Sequence, residues 1–127
     1  MLTDSKAFSG FSADDIAKAK HFYGDILGIK VKEAMGGMVL QLHLAGSNPV
    51  MIYQKDNHEP ATYTVLNYPV QDIEKTVAAL KEKGIAFESY DSGDIKTDAD
   101  NISRTAGPKI AWFKDPAGNI LSVLEEK

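Results

Sequence analysis

Trp112-Phe-Lys-Asp-Pro-Ala-Gly-Asn-Ile-Leu-Ser-Val-Leu-Glu125 reads as strand, tight turn, strand. Asp115 opens the turn, Pro116 presets φ at its second position and Gly118 fills the fourth, which is the chemistry of a type I turn. Outward from this hairpin toward the N-terminus, one order of elements occurs twice.

The second half begins with a strand, Tyr63 to Tyr68, and a helix opened by Asp72-Ile73 that buries Ile73, Val77, Ala78 and Leu80 and ends at Gly84. Strands Ile85 to Tyr90, Ile110 to Lys114 and Ile120 to Glu125 follow, with a polar loop from Asp91 to Pro108 among them. Its Asp, Ser, Thr and Gly content predicts a flexible loop. The first half repeats the layout. Phe8 to Phe11 is its strand, and Ser12-Ala-Asp-Asp15 predicts a capping box with Ser12 as the cap. Ile16, Ala19, Phe22, Tyr23 and Ile26/Leu27 recur at helical spacing before Gly28. Strands Ile29 to Ala34, Met38 to Leu44 and Val50 to Lys55 complete the half, and Asp56 to Pro60 links the two. The reading is an α+β fold of two β-α-β-β-β modules, residues 1–57 and 61–127, within one domain.

Composition narrows the function classes. The chain has 127 residues, 43% hydrophobic content and no cysteine, so thiolate metal sites and a Cys nucleophile are excluded. A formal charge of -4 opposes nucleic-acid binding, which wants a basic stripe. No apolar run of about twenty residues and no signal peptide is read, so the expectation is a cytoplasmic protein without membrane partners.

Asp15-Ile-Ala-Lys-Ala-Lys-His-Phe-Tyr23 with Leu27-Gly28, and Phe113-Lys-Asp-Pro-Ala-Gly-Asn119, resemble the helix and hairpin motifs of the vicinal oxygen chelate superfamily. That family includes glyoxalase I, extradiol dioxygenases and the bleomycin- and fosfomycin-resistance proteins. The resemblance implies curved mixed sheets around a shared cleft, often in a homodimer, and in many members a divalent metal held by the first and last strands of each module. Transferred by offset, the ligand positions fall on Phe8, Val65, Ser122 and, for the remaining strand, Met51 or Ile52. None is the imidazole or carboxylate that such metals want. The expectation is therefore a chain without the usual metal ligands and without a cofactor.

Strand alternation assigns the cleft face to Phe8, Gly10 and Ser12; Met51, Tyr53 and Lys55; Tyr63, Val65 and Asn67; Ile120, Ser122 and Leu124; and Val39, Gln41 and His43. Among these, Phe8, Gln41, His43, Met51, Tyr53, Tyr63, Asn67 and Ser122 are the candidate ligand-binding residues. His43 reads two ways, as a general base or as a polar residue on a half-exposed strand. Tyr53 and Tyr63 read as ligand contacts or as strand packing. An apolar and aromatic lining with few polar groups suits a small-molecule site. Two functions are expected: metal-independent binding of an aromatic or amphipathic molecule, or a glyoxalase-I-like lyase or isomerase, or a dioxygenase-like enzyme, with an atypical active site.

Overall fold

The computed structural model describes residues 1–105 and 107–126. The chain divides into two compact units, Met1–Pro60 and Ala61–Lys127.

The first unit is a four-stranded mixed sheet with one helical segment packed on one face. Its strands are β1 (Gly10–Ala13), β2 (Lys30–Ala34), β3 (Val39–His43) and β4 (Val50–Gln54), in the order β1-β4-β3-β2. Strands β1 and β4 run parallel, and the other neighbours are antiparallel. Helix α1 (Ile16–Lys20) widens into a π-type turn, His21–Ile26, and lies against β3 and β4. Ile16, Ala19, Phe22 and Tyr23 are buried with Leu40, Leu42, Val50 and Ile52, the apolar stripe predicted from helical spacing.

The second unit repeats the plan with β5 (Thr64–Pro69), helix α2 (Ile73–Glu82), a two-stranded hairpin of β6 (Asp91–Ser92) and β7 (Ile95–Lys96), β8 (Lys109–Lys114) and β9 (Ile120–Glu125). Its main sheet has the order β5-β9-β8, again with a parallel and an antiparallel pair. Ile73 and Val77 are buried, as are Ala111, Phe113, Leu121 and Val123. Ala78 is exposed instead, because it falls off the stripe that Ile73 and Val77 define. The helix ends in a Schellman motif: Ile85 N donates to Leu80 O, Gly84 N donates to Lys81 O, and Gly84 takes φ 91°, which glycine adopts without strain.

Four further expectations change. Strand β1 begins at Gly10, two residues later than the pattern suggested, so Phe8 precedes it. Ser12 lies in that strand and is not the N-cap residue of α1. The cap is Asp15, whose carboxylate accepts from Lys18 N at 3.1 Å. Asp72 does the same for Lys75 N, also at 3.1 Å, so Asp-Ile marks cap and first turn in both halves. Residues 85–90 form no strand among the described residues. A bridge from Phe87 to Phe113 and a bond from Glu88 N to Trp112 O tie the segment to β8, and the Phe87 ring packs 5.3 Å from that of Phe113. Finally, the polar loop is tied down. Hairpin β6-β7 occupies its start, Ile102 is buried as an apolar anchor, and Arg104 bridges Asp98 and Glu74. Ala106, in the same loop, lies outside the described residues.

Candidate functional site

The two helix starts give the units a common frame. Gln54 Oε1, at the end of β4, accepts from Ile16 N at 3.2 Å, and Glu125 Oε1, at the end of β9, accepts from Ile73 N at 3.0 Å. Each last strand thus satisfies an amide that its helix leaves open. Counting three residues back from these anchors makes Met51 and Ser122 equivalent, and it places Ile52 on the buried, helix-facing side. Across the parallel pairs, Met51 stands opposite Gly10 and Ser122 opposite Asn67.

In the first unit the register builds two cross-strand rows on the face turned away from α1. One row is Gly10, Met51, Gln41 and Lys32; the next is Ser12, Tyr53, Val39 and Ala34. His43 continues the same face, opposite Lys30. Asn48 Nδ2 donates to Ala7 O at 2.8 Å and Met51 N to Ser9 O at 3.0 Å, which lays the chain before β1 along the edge of β4. A hollow of about 280 Å³ opens there, lined by Lys6, Phe8, Gln41, Asn48, Pro49 and Met51. Three of the expected binding residues, Phe8, Gln41 and Met51, therefore come together. Lys6, Asn48 and Pro49 were missed. For Lys6 the signal was present, since it extends the alternation of Phe8 and Gly10 backward by two residues.

Tyr53 shares this face and is 42% exposed. Beside it, Ser12 Oγ and His58 Nδ1 share a hydrogen bond of 2.6 Å, which fastens the chain after β4 to β1. His43 Nε2 is buried and has no hydrogen-bond partner. A general base must come within hydrogen-bond reach of the proton it removes. Closed off in this way, Nε2 meets that condition only if the side chain moves.

In the second unit Ser122 is fully buried, at 0% exposure, and donates from Oγ to Asn67 Oδ1 at 2.5 Å. Trp112 pairs with Ser122 from β8, and Tyr90 packs edge-on against Trp112 at 5.3 Å. Burial and the nearby Glu88 carboxylate push the Tyr90 hydroxyl up from its ordinary value, so it stays protonated. Tyr63 does not join Asn67 as strict alternation predicted. A register shift between Thr64 and Leu66 sets Thr64 opposite Ile120, breaks the two-residue phase and leaves Tyr63 outside β5 with 69% exposure. Val65 sits within that irregularity and has no partner in the register.

Asp72, Glu74 and Glu125 bring three carboxylates close together. Each has other work: Asp72 caps α2, Glu125 holds Ile73 N and Lys109, and Glu74 pairs with Arg104 and Lys109. The cluster is thus a helix start tied to its sheet.

The sequence profile of the Glyoxalase/Bleomycin resistance protein/Dioxygenase superfamily matches residues 10–123. The chain belongs to that superfamily. Solved structures of similar fold include TnmS3, an antibiotic binding protein from Streptomyces sp. CB03234, at 21% identity and TM-score 0.74, covering 100% of this chain and 99% of that one. A glyoxalase family protein from Enterococcus faecalis is 24% identical, with TM-score 0.65 and coverage of 98% and 100%. A fosfomycin resistance protein from Listeria monocytogenes, in complex with Mn(II) and a dihydroxypropylphosphonic acid, is 12% identical, with TM-score 0.69 and coverage of 100% and 93%. At these identities the likeness is one of fold. No curated protein matches the chain. This glyoxalase-superfamily chain shares its scaffold with binders and enzymes alike, so its own side chains must carry the functional argument.

Proposed function

We propose that this protein is a metal-independent small-molecule-binding protein of the glyoxalase/bleomycin-resistance type, which holds an aromatic or amphipathic ligand against the open face of its first module. The observation that carries the reading is the donor chemistry at the positions where the superfamily resemblance places metal ligands. Phe8 and Val65 offer no donor atom, Met51 offers only a soft thioether, and Ser122 offers a buried neutral hydroxyl already bonded to Asn67. Gly10, the other residue opposite Met51, has no side chain. This set does not fit a divalent first-row metal, which is held by imidazole and carboxylate. The apolar walls of the hollow at Phe8, Pro49 and Met51, with the Gln41 and Asn48 amides among them, suit a ligand of mixed character. Lyase or isomerase turnover would need a base such as His43, and its buried Nε2 counts against that role.

Thermal unfolding in the presence of a metabolite and antibiotic panel tests the proposal. A true ligand at about a hundred times its dissociation constant adds about 2.7 kcal/mol of stability. Elemental analysis of the purified protein is expected to find less than one metal ion per chain, and a stoichiometric Zn, Ni, Mn or Fe would overturn the metal-independent reading.

A further inference from the structure

We infer that the ligand of the first module is an anionic amphiphile, its negative group held by Lys6 and the Gln41 amide while its apolar body lies on Phe8, Pro49 and Met51. The inference rests on the binding reading above and names the chemical class that the site selects.

The charge on this face is one-sided. Lys6 lines the hollow, and Lys32 stands in the same cross-strand row as Gln41 and Met51. Lys30 extends the set on the same strand, opposite His43. Among the described residues, none of these three lysines takes part in an ion pair. The residues of β1 to β4 that share the face include no acid. Glu33, the one carboxylate on those strands, alternates to the opposite face and pairs there with Lys20 of α1. The whole chain carries a net charge of -4, so its overall field repels anions and the attraction must be local.

The polar groups of the hollow are also unequal in what they have left to offer. Asn48 commits one of its two Nδ2 hydrogens to Ala7 O. Gln41, on a central strand and half-buried, has no hydrogen bond from its side chain among the described residues, so its amide is available to a bound group. An ammonium and an amide N–H lining one hollow with an aromatic ring and a thioether suit a carboxylate, sulfonate or phosphate joined to an apolar body. A neutral ligand would gain nothing from the Lys6 charge, and a cationic one would be repelled.

Paired fluorescence titrations test the inference with anilinonaphthalene sulfonate and its uncharged counterpart N-phenylnaphthylamine, which differ by the anionic group alone. The sulfonate is expected to bind about tenfold more tightly, the ratio that one charge-assisted contact supplies. Lys6→Gln should bring the two affinities together, whereas Lys18→Gln on the exposed side of α1 should leave the ratio intact. Equal affinities in the unaltered protein, or a preference that survives Lys6→Gln, would overturn the anionic assignment while the binding reading stands. If neither probe binds, the binding reading itself fails and the inference falls with it.

Discussion

At the scale of single residues, the hairpin owes its shape to Asp115. Its Oδ1 accepts from Ala117 N and Asn119 N, each at 2.9 Å, and its Oδ2 from Asn119 Nδ2 at 3.0 Å, although the residue is only 5% exposed. A buried carboxylate is tolerable only when its oxygens are answered in this way. Asp115→Ala leaves Asn119 N buried without its acceptor, and chemical denaturation should show a loss of about 3 kcal/mol. Tyr68 is the opposite case. Its hydroxyl is buried without a partner, and burial together with the Asp115 charge holds it protonated far above its ordinary range. Removing an unanswered hydroxyl sacrifices no bond, so Tyr68→Phe should leave stability unchanged or raise it by about 1 kcal/mol in the same assay.

At the scale of elements, helix α2 and the loop before β8 are joined by Arg104, which bonds Asp98 at 2.7 Å and Glu74 at 2.8 Å. The guanidinium holds both carboxyls below their ordinary values. A depressed carboxylate contributes stability that is full above the unfolded-state value, about pH 4, and is lost as pH falls through the folded-state value. Arg104→Gln should therefore flatten the loss of stability between roughly pH 5 and pH 3. Carboxyl titration by NMR should show Glu74 and Asp98 rising toward ordinary values, and unchanged midpoints would contradict the bridge. Sequence patterning reached these elements unevenly. Asp15-Ile16 and Asp72-Ile73 announced both helices because a capping Asp before an apolar stripe is a local signal. The bulge at Val65, the missing strand at 85–90 and the anchor at Ile102 depend on contacts distant in sequence, which no local pattern carries.

At the scale of the molecule, the duplicated plan was legible, and so was half of the lining of the hollow in the first unit. Gln54 and Glu125 each reach a helix start from the end of a last strand, so the repeat extends to a hydrogen-bonding device that the sequence does not advertise. Face assignment worked where strands run without interruption, which brought Gln41 and Met51 to one hollow. It failed at Tyr63, where a single extra residue shifts the phase. Lys6 escaped attention because it precedes the first strand, and its place beside Phe8 follows from the Asn48 and Ser9 bonds that hold that segment. The measurement that bears most directly on the central claim is amide chemical-shift mapping of protein treated with EDTA, titrated with anilinonaphthalene sulfonate. Saturable shifts centred on Phe8, Gln41 and Met51 are expected without added metal. Shifts that arise only after a divalent metal is restored, or that leave these residues untouched, would contradict metal-independent binding on the first module.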